Sequence, residues 1–235
     1  MPPPTANDSN PPLGAARVAV DMVEDGMSLG LGTGRAASAF VEVLGARVAD
    51  GLNVTGVATS EATADLARGL GIPLARLDEV DHLDITFDGA DEVDANLDLI
   101  KGYGAAMVRE KIVARRSKRL VILVGPEKKV GVLGERGRLP IEVIPFAAGL
   151  LRESLGTIGL DAAIRPGEDG SPVITDNGHW VCDAKLVPPL PVDPDELERR
   201  LVALPGVLGT GLFLRMADVV LIGDGEDVET LRREG

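Results

Sequence analysis

Residues 27–44 read MSLGLGTGRAASAFVEVL. Met27 to Leu31 make a short apolar run that stops at Gly32-Thr33-Gly34, after which Ala36, Phe40, Val43 and Leu44 recur at i, i+4, i+7 and i+8. The run predicts a buried strand, and the later spacing predicts a helix with one apolar stripe. Strand, glycine loop and helix in that order open a parallel α/β sheet.

The pattern continues outward from there. Val54 to Thr59 predicts a second strand, and Ser60 an N-cap for a helix through Leu66 and Leu70 that stops at Gly71. Ile85 to Phe87 and Leu120 to Val124 predict further buried strands, with a helix over 105–114 between them. This alternation implies a mostly parallel, right-handed sheet. From Pro140 the rhythm changes. Strands over 141–144, 160–165, 179–184 and 207–214 and helices over 146–155 and 194–204 give the order βαββαβ, the ferredoxin-like split unit. A strand over 217–222 and a helix over 226–232 then return to the first sheet. The expected organisation is a catalytic α/β domain from 14–137 and 215–235, a lid or oligomerisation domain inserted at 138–214, and a Pro-rich disordered leader over 1–13.

Composition narrows the function. The 235 residues are 45% hydrophobic and 26% charged, with a net charge of −13. An acidic surface argues against nucleic acid, whose phosphates are bound by Lys and Arg; an anionic substrate would need a local basic or amide-lined pocket. No run approaches the roughly 18 apolar residues of a membrane span, and MPPPTANDSNPP lacks a signal-peptide core. The expected compartment is the cytoplasm, with no membrane partner. Cys182 is the single cysteine and sits in a strand-like Trp180-Val181-Cys182, which reads as a small buried hydrophobe and not a nucleophile. With only His82 and His179 besides, no metal site is expected.

Three loops fall at the carboxyl ends of predicted strands, where open α/β sheets bind ligands. They are GLGTGRA (30–36), FDGADEVD (87–94) and IKGYGAAMVREK (100–111). The first brings backbone N–H groups toward an anion at a helix start. The second packs Asp88, Asp91, Glu92 and Asp94 behind a strand. The third places Lys101 before a helix and Glu110 about two turns inside it. Singly, each residue reads as a turn glycine, a solvated carboxylate or a surface cation. Together they describe a site for an anionic substrate and proton transfer.

The segments GLGTGRA, TSEATADLA, FDGADEVD, IKGYGAAMVREKIVA, KKVGVLG, LPIEVIPFA, VITDNG and LPGVLGTGLF, in this order, closely resemble the type A ribose-5-phosphate isomerase family over nearly the whole chain after residue 14. The D-G-A-D-E and K-G-x-G-A-A-x-x-R-E-K segments are the most specific. The resemblance implies a Rossmann-like core with a ferredoxin-like lid, a homodimer or dimer of dimers, and interconversion of ribose 5-phosphate and ribulose 5-phosphate without metal or organic cofactor. By the same resemblance the carbon base falls on Glu110, proton traffic on the oxygens on Asp88, orientation of its neighbours on Asp91, and stabilisation of enediolate charge on Lys101. Substrate contacts fall on Thr33, Gly34, Arg35, Ala36, Asp88, Gly89, Ala90, Asp91, Lys101, Gly102, Tyr103, Gly104 and Lys128.

The chain departs from the family pattern in three places. G-T-G-S-T becomes Gly32-Thr33-Gly34-Arg35-Ala36, K-G-G-G admits Tyr103, and D-x-S-K becomes Gly125-Pro126-Glu127-Lys128, which removes an acid and lets Lys128 and Lys129 compete for one role. Two rival functions remain on this reading: an amino-sugar phosphate deaminase of the same fold, and a non-catalytic sugar-phosphate sensor. The sensor ranks last because no basic helix-turn-helix region is visible.

Overall fold

The computed structural model describes residues 13–188 and 190–233. The leader expected over 1–13 lies outside them as far as residue 12, and Leu13 already begins a helix that the sequence reading did not foresee. In chain order the elements are α1 (Leu13–Val20), β1 (Ser28–Leu31), α2 (Arg35–Ala49), β2 (Thr55–Ala58), α3 (Glu61–Gly69), β3 (Ile85–Gly89), β4 (Glu92–Val93), β5 (Leu99–Ile100), α4 (Met107–Arg116), β6 (Leu120–Val124), β7 (Arg138–Val143), α5 (Ala148–Thr157), β8 (Asp161–Ile164), β9 (Trp180–Lys185), α6 (Pro194–Val202), β10 (Val207–Thr210), β11 (Leu212–Phe213), β12 (Val219–Asp224) and β13 (Asp227–Arg232). Two compact units result. The first takes residues up to Ala90, Arg109–Lys129 and the chain from Arg215; the second takes Asp91–Val108 and Val130–Leu214.

In the first unit a six-stranded sheet runs β2-β1-β3-β6-β12-β13, parallel except for the last pair. Strands covered on both faces read as unbroken apolar runs, and every residue of β6, Leu120 to Val124, is buried. The stripe seen in the sequence fixes α2 on this sheet: Phe40 stacks on Phe87 of β3 with ring centroids 4.1 Å apart. Ser60 caps α3 as expected, its hydroxyl accepting the Thr63 amide at 3.1 Å. Because β1 lies between β2 and β3, the chain reverses its direction of travel across the sheet there. The crevice beyond the carboxyl ends of β1 and β3 is the switch point where such sheets bind ligands.

One element is corrected. The helix expected over 226–232 is β13, antiparallel to β12 with Asp224 opposite Asp227. Gly225 adopts φ 63°, so a two-residue turn with a left-handed first position folds the chain back before a helix can start. Val228 then packs against the core, and it and Leu231 are the strand's half-buried residues, a three-residue spacing that a short amphipathic helix would also show.

In the second unit an antiparallel sheet is ordered β10-β7-β9-β8. With α5 and α6 inserted after its first and third strands, this is the ferredoxin-like βαββαβ arrangement. Leu139, Ile141, Val143, Cys182 and Ala184 meet Leu151, Leu155, Leu197 and Leu201 in one core. The single strand expected over 207–214 divides at Gly211 into β10, which pairs with β7, and β11, which joins β5 and β4 in a three-stranded sheet. A β-carbon at Gly211 would strike the Lys101 carbonyl, and only glycine permits that approach.

Candidate functional site

At the switch point of the first unit, Gly32 donates its amide to Phe87 O at 2.8 Å, tying the loop after β1 to β3. A β-carbon on Gly32 would collide with the Asp88 carboxylate. Asp88 is fully buried, and its Oδ1 accepts the amides of Thr33 at 3.2 Å and Gly89 at 2.7 Å. The Thr33 hydroxyl lies 2.8 Å from those of both Thr59 and Ser60, while Thr63 donates to Gly32 O at 2.8 Å and Thr59 to Leu31 O at 3.1 Å. Thr33 thus turns its hydroxyl inward, and its neighbours along the chain present backbone. Gly34, at φ 100°, precedes α2 with no side-chain cap, Arg35 is exposed on the first turn, and Ala36 flanks Gly89. Thr33, Ala36, Asp88 and Gly89 are therefore brought together, with Arg35 on the rim of a hollow shared with Ser38, Glu42 and Thr63.

Glu110 is 4% exposed and stands in the first turn of α4, not two turns inside a helix as the sequence reading had it. Gly102 at φ 103° and Ala105 at φ 64° hold the preceding loop in left-handed turns, which delays the helix to Met107. Val113, one turn beyond Glu110, packs so close to Gly30 of β1 that a β-carbon there would collide with it. Lys128 ends a one-turn 3₁₀ segment with its side chain 16% exposed, whereas Lys129 is 47% exposed and pairs with Glu229 of β13 at 3.0 Å. Of the two lysines, Lys129 is the one held in a surface ion pair.

The second unit holds the remaining residues and separates the four acids of FDGADEVD. Asp91 accepts the Tyr103 amide at 2.9 Å. Glu92, fully buried, accepts the amides of Gly134 at 2.5 Å and Arg136 at 2.7 Å, so it staples the 134–136 turn. Burial pushes its pKa up against those bonds. Asp94 accepts the amides of Asn96 and Asp98, both at 2.9 Å, and closes the β4–β5 turn. Only Asp88 and Asp91 are left in contact with the loops of the expected site, while Glu92 and Asp94 are structural.

Lys101 is 3% exposed, takes part in the sheet through its amide to Gly211 O at 2.9 Å, and holds its ammonium 5.5 Å from the Phe213 ring centroid. A cation that deep requires compensation, and the ring face contributes some of it. Gly102 and Gly104 flank Tyr103. Burial, then the charges of Asp91 and Glu92, push the Tyr103 phenol up to about 12, so it is a neutral group. Arg138 lies 4.0 Å over its ring.

Other nucleophiles are accounted for. Cys182 is buried in the core of the second unit and its thiol is pushed up to about 11 by burial. His179 contacts Glu142 at 3.1 Å and His82 contacts Asp84 at 3.3 Å. Among the described residues no group of three or more His, Cys, Asp or Glu is placed to hold a metal ion, and no helix is long and apolar enough to cross a membrane.

The sequence reading missed Glu127, Arg165 and Asp183. Glu127 was read only as part of a departure, yet its carboxylate folds over Gly125. Asp183 interrupts the apolar strand β9 between the buried Cys182 and Ala184, a half-buried acid that calls for a partner. That partner, Arg165, lies 18 residues earlier, and nothing in the local pattern marks it.

A doubly wound sheet whose switch point carries an amide-lined loop against a buried carboxylate defines an α/β protein built to bind a small anionic ligand. The chain's residues 55–227 match the family model described as ribose 5-phosphate isomerase A (phosphoriboisomerase A), and the chain belongs to that family. It is 48% identical to ribose-5-phosphate isomerase A of Bradyrhizobium diazoefficiens over 93% of this chain and 94% of the relative, and 46% identical to that of a Roseiflexus species over 92% and 93%. Among solved structures it is similar to ribose 5-phosphate isomerase A from Methanocaldococcus jannaschii, with 42% identity, a TM-score of 0.88, and coverage of 94% of this chain and 97% of that one. It is equally identical, at 42%, to a D-ribose-5-phosphate isomerase solved in complex with phospho-erythronic acid, with a TM-score of 0.90 and the same coverage.

Proposed function

We infer that the chain interconverts D-ribose 5-phosphate and D-ribulose 5-phosphate through an enediolate. The observation that carries this reading is the buried Asp88 carboxylate, bonded to the Thr33 amide at the switch point of a family member's sheet. Moving a proton between C1 and C2 requires a base over the carbon, proton exchange at the two oxygens and a counter-charge for the enediolate. On this proposal Glu110 takes the carbon proton, Asp88 assists ring opening and exchanges protons with O1 and O2, Lys101 stabilises the enediolate, and Asp91 orients the Gly102-Tyr103-Gly104 loop. The loop amides at 33–36 and Lys128 bind the substrate, with Gly89 and Ala90 beside them.

The relative bound to phospho-erythronic acid supports a phosphosugar ligand, because a phosphorylated aldonic acid has the planar, charged end of an enediolate. The same proposal includes assembly as a homodimer or dimer of dimers, residence in the cytoplasm, and activity without a bound cofactor. Purified protein with ribose 5-phosphate should form the ketose at a rate unaffected by exhaustive chelation. Absence of ketose would overturn this function, and ammonia release from glucosamine 6-phosphate in its place would put the deaminase rival there. Light scattering on the same sample gives the assembly.

A further inference from the structure

We propose that Arg165 is a positioning residue, which with Asp183 and Arg138 clamps the 101–105 loop in the conformation that carries Lys101. All of these residues belong to the second unit. Arg165 follows β8 and its side chain is 10% exposed. Its Nε and Nη2 donate to Asp183 Oδ2 and Oδ1 at 2.8 and 2.6 Å, a two-pronged pair that fixes the plane of the guanidinium. The remaining donors point at main chain. Nη1 reaches Tyr103 O at 2.8 Å, and both Nη1 and Nη2 lie 3.3 Å from Gly102 O. Asp183 Oδ2 also pairs with Arg138 at 3.3 Å, and Arg138 covers the Tyr103 ring. One carboxylate on β9 therefore anchors two guanidinium groups, of which Arg165 closes on residues 102 and 103 and Arg138 on the Tyr103 ring.

The loop needs such a hold. It contains two left-handed residues, Gly102 at φ 103° and Ala105 at φ 64°, and the second is not glycine. Backbone of that kind persists only where its surroundings over-determine it. The Gly102 carbonyl, which accepts the Ala105 amide at 3.0 Å, is one of the two that Arg165 grips. Asp91 in addition accepts the Tyr103 amide, so the loop is held through a backbone N–H as well as through its carbonyls. Tyr103, foreign to the family's K-G-G-G, offers the ring on which Arg138 lies and becomes part of the clamp.

This inference rests on the isomerase reading for the role of Lys101 but not for the clamp itself, and the test keeps the two apart. Arg165→Met and Arg165→Lys are compared with the parent, substrate-free, by amide hydrogen exchange at residues 103 and 105, and by kcat and KM at a temperature well below each variant's Tm. In Arg165→Met both amides should exchange about 10-fold faster or more, and kcat should fall roughly 10- to 100-fold with KM little changed, the cost of a misplaced catalytic group. Arg165→Lys keeps the charge against Asp183 but cannot reach both carbonyls, so it should fall between; it also decides the matter if Arg165→Met does not fold. Parent-like exchange overturns the clamp. Faster exchange with kcat within about twofold of the parent overturns the positioning role, since a loss of stability alone would leave turnover of the folded protein intact. A parent inactive toward ribose 5-phosphate removes the isomerase reading, while the exchange data still decide the clamp.

Discussion

The carboxylate of Glu127 folds back over Gly125 so closely that one of its oxygens overlaps the place where a β-carbon at residue 125 would stand. Gly125 has φ −84° and ψ 165°, ordinary extended backbone. Glycine is required there for room and not for conformation. The acid that the family pattern puts first in this turn has therefore been moved to its third position, beside the Lys128 ammonium at 3.8 Å.

Gly125→Asp should consequently be harmful alone and tolerated in company. Overpacking against Glu127 should cost about 1–3 kcal/mol. The double variant Gly125→Asp with Glu127→Ser clears the space and places an aspartate at the N-cap of the 3₁₀ turn, a favourable residue there. Urea unfolding of the two single variants and the double variant gives the coupling. Additive losses would show that the two positions do not compete.

If Glu110 is the carbon base, Glu110→Gln removes proton abstraction and preserves shape. Turnover should fall roughly 100-fold or more with substrate affinity nearly intact. Steady-state kinetics with ribose 5-phosphate check this, and a variant with near-parent kcat removes Glu110 from the role.

The sheet and the ferredoxin-like insert were legible because apolar period and glycine stops are local signals: Leu120 to Val124 is as buried as its composition demands. Asp88 and Asp91 were legible as a pair only through the family resemblance. Their separation from Glu92 and Asp94 depends on which backbone amides each carboxylate meets, Gly134 and Arg136 being over forty residues from Glu92. Arg165 was invisible for the same reason, since its value comes from two carbonyls about sixty residues away. The 226–232 segment failed differently. A seven-residue amphipathic stretch fits either period, and the left-handed Gly225 turn decides between them.

Asp84 predicts an acid limb of stability. The Lys118 ammonium at 2.8 Å, and then the Ser28 amide at 2.9 Å, hold its carboxyl below the usual carboxylate range. A folded-state pKa below the unfolded value means that the unfolded chain binds the extra proton, so this contribution is whole above the unfolded pKa of about 3.9 and is lost as pH falls through the depressed value. Asp84→Asn should thus have a lower Tm than the parent at pH 7, and the gap should close as the pH drops below about 4. Melting curves across that range check it; a gap that stays constant or widens in acid would assign the effect to packing.

Arg35 is where the chain's phosphate loop differs most from its family, and its setting sharpens the consequence. It stands exposed at the first position of α2, where no side chain caps the helix and no acid occupies the first turn. A cation there opposes the helix macrodipole at a cost of about 0.3–1 kcal/mol. The hydroxyl that survives in the loop, on Thr33, is turned inward and is spent on the hydroxyls of Thr59 and Ser60. A phosphate at this loop would therefore meet amides and the Arg35 guanidinium, with a charge-assisted bond worth about 1.5–3 kcal/mol. That exceeds the dipole cost. Arg35→Ala should raise KM roughly 10- to 100-fold with kcat little changed, because the phosphate is held alike in ground and transition states. The same variant should be slightly more stable without substrate, as the unfavourable charge is gone. Arg35→Ser with Ala36→Thr, which restores the family's hydroxyls, should regain part of the lost affinity. A KM for ribose 5-phosphate within about twofold of the parent, under ~0.5 kcal/mol, would reduce Arg35 to a surface cation and leave phosphate binding to the amides alone.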